Sequence, residues 1–576
     1  VGFERVRITK ALTAVAVSVF ALATLPPGTA AAAVPGDAHA APGDVTVTPL
    51  WFDVATGPDG AHRCTIEGDL YRPSGASAAT PVPAILSTNG FGTSKDVLAG
   101  TGAMLAAQGY AALMYSGLGF GGSTCKVSLD NPEWDGRAAQ QLVSFLGGAT
   151  GIAYTDPALE VPAAPVDFIQ ADQRGAPDHR LDHDPRVGML GGSYGGAVQF
   201  AAAATDPRID TIVPMITWND LSYSLSPDGA VGPAGRSKGG TGATKSTWAT
   251  AFAAMGGLSP GVKGYLADPS RALPCPNLAD AACPALGASL AQGFAGAEET
   301  AFLQSTSVAD YIDRVRVPVL LMQAQRDSLF DLQEATATYR GLKERGVEVS
   351  MMWHYRGHAG GDPRPGEFDE KAPDRETQYL VSRYMDWFDR HLKGEPVPSA
   401  PEFSWYRDWI SYTGSSEPAY GTAASLDDAA TLIPFPITPG AQPVHSGPDA
   451  APPKAATWTS EPLTGHLEQV GAPQVTLNAS GVSAATPTDG AVLFVTVHDV
   501  APDGTAVRVG NTVPTRVTSD TTVGVTVPGA VHRFEPGHRL QVTVAGAAEG
   551  FRSGLVPRDV SVTVTGLELP VAGGAR

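Results

Sequence analysis

The chain has 576 residues, more than one compact core holds, so two or more domains are expected. Hydrophobic residues make up 43% and charged residues 17%, which excludes an intrinsically disordered chain. The formal net charge of −19 argues against nucleic acid or an anionic membrane as a partner, and the absence of a short repeat excludes collagen-like and solenoid architectures.

Arg5, Arg7 and Lys10 give a basic start, and residues 11–25 form an apolar run too short to span a bilayer comfortably. Small residues follow, with AxA-like cleavage sites ending near Ala33 or Ala40. Residues 1–40 therefore read as a signal peptide and leader, and the mature chain as secreted, without stable membrane insertion after cleavage; an uncleaved anchor is the alternative. Residues 45–54 and 64–71 then read as β-strands, rich in Val, Thr and aromatic side chains.

From here the pattern alternates. Strands are expected at 82–87, 110–115, 187–190 and 209–217, and helices at 95–107, 134–146 and 194–204. This rhythm predicts a parallel sheet with helices on both faces. Between about 219 and 313 the rhythm is lost, and a helical cap is expected. It returns with strands at 317–324 and 347–354 and helices at 332–345 and 376–392. The catalytic domain is thus placed at 41–398. From 399 to 576 short strands alternate with turns (475–477, 491–500, 521–527, 539–545, 560–567), and a β-sandwich or jelly-roll domain is expected. The Pro-rich run 433–453 reads as a loop or linker.

The sharpest motif is Gly191, Gly192, Ser193, Tyr194 and Gly195, a G-x-S-x-G set between an expected strand and an expected helix. That is the context of a nucleophile elbow, whose tight turn needs small residues two before and two after the serine. A serine hydroxyl needs a base, and in an α/β-hydrolase sheet the partners follow in the order serine, acid, histidine. Asp327 ends the strand after the insertion and is the expected acid; Asp331, the rival, reads as a helix cap. His358, in a loop of small residues after the last strand, is the expected base, whereas His354 lies within the strand. The backbone N–H groups of Tyr194 and Phe91 are the expected oxyanion donors.

Four cysteines in an exported chain suggest two disulfides. Cys275 with Cys283 closes a small loop rich in Pro and Ala, which leaves Cys64 with Cys125; four free thiols are the alternative. No spacing resembles a zinc site. His179 and His183 in an acidic loop read as solvated, so neither a metal nor any other cofactor is called for.

Taken together, these residues resemble the X-Pro dipeptidyl-peptidase and cocaine-esterase-like (CocE/NonD) family of serine hydrolases. The resemblance is carried by Gly191–Gly196 with its tyrosine, by 184–188 before it, by the closing helix at 384–394, and by 491–495, 501–504 and 536–540 in the tail. It implies an α/β-hydrolase domain, a helical cap and a C-terminal jelly roll, with Ser193, Asp327 and His358 as the triad. Family esterases can place a tyrosine side chain in the oxyanion hole; the matching loop here offers Phe91, which has no hydroxyl. The resemblance implies an X-Pro peptidase acting on small peptides, or alternatively an esterase or amidase acting on acyl compounds. A peptidase needs a carboxylate for the substrate's free amine and an apolar pocket for proline, and Trp218 and Asp220 are the expected sources. A non-catalytic binding protein on the same fold is the remaining alternative, and the oligomeric state is not legible.

Overall fold

The computed structural model describes residues 45–172, 181–233, 242–358, 363–450 and 455–573; the expected leader and His179 lie outside them. Thr46–Thr56 (β1) and His62–Arg72 (β2) pair antiparallel along their whole length. Alternate residues are buried over most of both strands, the mark of a sheet covered on one face. Ala84–Thr88 (β3) and Ala111–Tyr115 (β4) are buried at every position, as strands covered on both faces must be. The sheet continues with Ala153–Tyr154 (β5), Val187–Gly192 (β6), Ile209–Met215 (β7), Val319–Ala324 (β8), Val349–His354 (β9), Phe403–Tyr406 (β10) and Tyr420–Ala423 (β11). Its order is β11-β10-β9-β8-β7-β6-β3-β4-β2-β1-β5. The pairs from β4 through β3, β6, β7, β8 and β9 to β10 are parallel, and those flanking them are antiparallel.

Alternate residues of the same strands enter two different cores. Leu86, Met189, Ile212 and Leu321 pack with helices Arg137–Leu146 (α1) and Tyr194–Thr205 (α2). Ile85, Leu190, Val213 and Leu320 pack on the other face, against Ala99–Ala107 and Tyr379–Phe388. Helices on both faces of a parallel sheet make this an α/β-hydrolase architecture. The insertion after β7 is helical, with Ser246–Leu258, Ala282–Gln292 and Ala297–Ser305 its longest pieces. Leu278, Ala282 and Leu303 from this cap share a core with Tyr194, Trp218 and Phe330.

The remaining strands form two antiparallel sheets packed face to face. One contains Gln474–Ser483 and Arg558–Val571; the other contains Ala491–Val500 (β12) and Ala506–Val517 (β13). Their inward side chains form one Val- and Leu-rich core. The expected boundary at 399 needs correction. β10 and β11 belong to the hydrolase sheet, where Phe403 packs against Trp353 with ring centroids 4.8 Å apart. The Pro-rich run is also not plain loop: Gln442–Ser446 lies within it and pairs with Arg558–Val571.

Candidate active site

β6 runs into α2 through a turn whose apex is Ser193, held at φ 57° and ψ −119°. A non-glycine residue at positive φ is strained, and the surroundings must impose it. They do so by close approach. A Cβ on Gly191 would lie 2.7 Å from the Gly195 carbonyl oxygen, and one on Gly195 would lie 2.4 Å from that of Thr88. Two side chains that sequence reasoning missed brace the turn. Gln199 is fully buried and donates to the carbonyls of Gly191 (3.1 Å) and Gly195 (2.8 Å). The Thr217 hydroxyl donates to the Ser193 carbonyl at 2.9 Å. Neither residue has a local motif to flag it.

The serine hydroxyl meets His358 Nε2 at 3.0 Å, and His358 Nδ1 meets Asp327 Oδ2 at 2.8 Å. Because Nδ1–H donates to the carboxylate, Nε2 is left as an acceptor for the serine proton. Asp327 has no exposed surface, and its other oxygen accepts the N–H groups of Leu329 and Phe330, both at 2.8 Å. The carboxylate is thereby fixed in direction. Phe330 and Trp248 pack edge-on against the imidazole, with centroids 5.0 and 5.7 Å away.

The rivals lie elsewhere. His354 is buried in β9, and desolvation, helped by Arg356, drives its pKa down to about 3, so it stays neutral. Asp331 caps the next helix, Leu332–Lys343, by accepting the Gln333 N–H at 3.0 Å. His183 sits at the surface, with Nδ1 3.2 Å from the Gly147 carbonyl.

Tyr194 is the first residue of α2, so its N–H has no carbonyl partner within the helix. Phe91 lies in the loop after β3. Asn89 shapes that loop by donating to the carbonyls of Gly90 (2.8 Å) and Thr93 (3.0 Å) while accepting the Gly117 N–H. The Phe91 ring packs edge-on against Tyr194, Phe120 and Phe252. Phe91, Ser193 and Tyr194 line one cavity, closed by Trp218, Leu225, Phe252, Phe302 and Phe330. Apart from the Tyr194 phenol, that lining carries no ionisable group among the described residues. A second, more polar cavity touches His358 and is lined in part by Ser87, Thr101, Arg356 and Glu370.

Of the two expected substrate contacts, the structure brings one to the cavity. Trp218 lines it, with its indole N–H bonded to the Thr306 carbonyl at 3.2 Å. Asp220 does not. Its carboxylate caps the helix Leu221–Leu225 and accepts from the Ser222 N–H (2.9 Å), the Ser222 hydroxyl (2.6 Å) and the Gln304 amide (3.2 Å). With its oxygens so engaged and only 2% exposure, it offers nothing to an amine in the cavity. Cys64 is joined to Cys125, and Cys275 to Cys283.

In comparisons with known proteins, residues 370–551 match the X-Pro dipeptidyl-peptidase C-terminal non-catalytic domain. No curated protein matches the sequence. Among solved structures, the chain is similar to an aminopeptidase from a marine sediment Thaumarchaeota archaeon, at 14% identity and TM-score 0.61, covering 92% of this chain and 97% of that one. A CocE/NonD family hydrolase from Staphylococcus aureus is similar at 13% identity and TM-score 0.60, with the same coverage. An α-amino acid ester hydrolase is similar at 17% identity and TM-score 0.57, covering 95% of this chain and 100% of that one. At these identities the likeness shows the fold. The X-Pro dipeptidyl-peptidase (S15 family) model matches residues 59–360, more than half of the sequence, and the chain therefore belongs to that family of serine-type hydrolases.

Proposed function

We propose that the protein hydrolyses esters or amides with a compact apolar acyl group, through an acyl-enzyme on Ser193, without requiring a free α-amine. The observation that carries this reading is the cavity at Ser193: aromatic and aliphatic walls with no carboxylate among the described residues. In the proposed mechanism His358 Nε2 takes the Ser193 proton as Oγ attacks the carbonyl carbon. The N–H groups of Tyr194 and Phe91 receive the oxyanion. The same proton then passes to the leaving group. Water, activated by His358, releases the acid and returns the proton to Ser193. Asp327 holds the imidazole tautomer throughout.

A dipeptidyl-peptidase is the second reading. The family description favours it, and a prolyl ring would suit the same apolar walls. The full chain should be offered p-nitrophenyl butyrate, Ala-Pro-p-nitroanilide and its N-acetyl form. Hydrolysis of the ester, with no preference for the free amine, is expected. Cleavage confined to the unblocked anilide would overturn the first reading and establish the second. We also propose export as the setting, which two disulfides support. Secretion assays with residues 1–40 intact and deleted test this part.

A further inference from the structure

Four successive carbonyls of the loop carrying Asp327 each accept a hydrogen bond from a side chain. Gln323, in β8, donates to Phe330 at 2.7 Å. Lys245, at the start of the cap helix Ser246–Leu258, donates to Ser328 (2.9 Å) and Leu329 (2.8 Å). Asn511, in the C-terminal sandwich, donates to Asp327 itself at 2.8 Å across 184 residues of sequence. Only the first of these donors belongs to the hydrolase sheet.

The route by which Asn511 arrives is specific. β12 and β13 run in register until Val497 faces Val509, and pairing resumes with Val495 facing Val513. One residue of β12 thus opposes three of β13. A bulge of this kind re-aims side chains. Gly510 permits it, at φ 75° and with the Pro528 carbonyl 3.1 Å from where a Cβ would stand. Lys245 is equally committed: it is 6% exposed, and its side chain lies close enough to the buried carboxyl groups of Asp331, Glu334 and Asp327 to be influenced by their charge.

We propose that Asn511 and Lys245 are positioning residues for the Ser193–His358–Asp327 array, so that the sandwich and the cap both set the direction of the Asp327 carboxylate. The inference rests on the proposed hydrolase reading. Displacement of a catalytic group by a fraction of an ångström carries a large rate cost, so Asn511→Leu should lower kcat on p-nitrophenyl butyrate roughly 10-fold, with KM within about twofold of wild type. The deciding measurement is a double-mutant cycle. In an Asp327→Ala background the same substitution should change kcat less than about twofold, because the group it positions has gone. A merely structural role would cost the same factor in both backgrounds and would overturn the proposal, as would an unchanged kcat in the single variant. Should Asn511→Leu fail to fold, the isosteric Asn511→Asp, which removes the donor, enters the same cycle. Lys245→Met is read in parallel, with Lys245→Arg, which keeps the donors, expected to restore part of the loss. A wild type that neither hydrolyses any substrate nor reacts with a fluorophosphonate sinks both readings, whereas an active wild type with an unaffected Asn511→Leu sinks this one alone.

Discussion

Asp327 shows how few degrees of freedom the site leaves to a single residue. One carboxylate oxygen takes two backbone N–H groups at 2.8 Å, and the other faces the imidazole at 2.8 Å. Replacing it with asparagine keeps the size but presents an amide that favours the wrong imidazole tautomer. Asp327→Asn should therefore lower kcat by about 10³- to 10⁴-fold, and Ser193→Ala should abolish fluorophosphonate labelling as well. Steady-state kinetics with intact-mass readout of labelling checks both. His354 makes the opposite case, a histidine that gains from staying uncharged. Its pKa falls from 6.5 to about 3 on folding because burial penalises the imidazolium. For a depressed pKa the contribution to stability is complete above pH 6.5 and is lost as pH falls toward 3. Denaturant midpoints should decline over that window. The decline should be shallower in His354→Leu, which has no proton to gain; identical slopes would contradict the assignment.

Among the elements, the turn from β6 into α2 concentrates the strain. Gly195→Ala places a methyl 2.4 Å from the Thr88 carbonyl oxygen, backbone against backbone, so α2 must move away from the β3 loop. That movement would separate the Tyr194 and Phe91 N–H groups. A loss of about 1–3 kcal/mol in unfolding free energy and a fall in kcat larger than any change in KM are expected; wild-type kinetics in this variant would show that the approach is not tight. The same element explains what the sequence could reveal. Strand, elbow and helix are local, so residues 187–204 suffice to place Ser193. The order of the partners along a parallel sheet then points to Asp327 and His358 without any knowledge of distance. Asp220 misleads because an aspartate before a helix satisfies a cap and an amine site with the same letters, and only the observed bonds to Ser222 and Gln304 separate the two. β10 and β11 join the hydrolase sheet through the pairing of β10 with β9 and of β11 with β10, which no local pattern encodes. Asn511 is illegible for a stronger reason, since its partner lies 184 residues away.

At the scale of the whole molecule, a cross-link and domain contacts restrain different parts of the hydrolase domain. Cys64–Cys125 ties β2 to the loop after β4 and closes a segment with a sequence separation of 61. The chain-entropy estimate for such a loop is about 4 kcal/mol, so the double variant Cys64→Ser/Cys125→Ser should unfold at lower denaturant, with a steeper slope because its denatured chain is less compact. The sandwich plays a comparable part without a covalent bond. Described residues at the base of the cap take several hydrogen bonds from it: Gly229 donates to the Pro514 carbonyl and accepts from the Thr526 N–H, both at 2.8 Å. The Thr244 carbonyl accepts from the Arg552 N–H at 2.8 Å, and the buried Asp228 carboxylate from the Thr515 hydroxyl at 3.0 Å. Ala243 packs with Val492 and Phe494 in a small core of its own. Removing the sandwich would leave these groups unpaired and this apolar surface open to water, each at a cost in free energy. Residues 45–430 expressed alone should therefore accumulate as aggregate, and any soluble fraction should lack ester hydrolysis. A soluble fragment with wild-type kcat would show that the sandwich is dispensable to the site. It would equally require that the cap and the Asp327 loop keep their geometry without their partners.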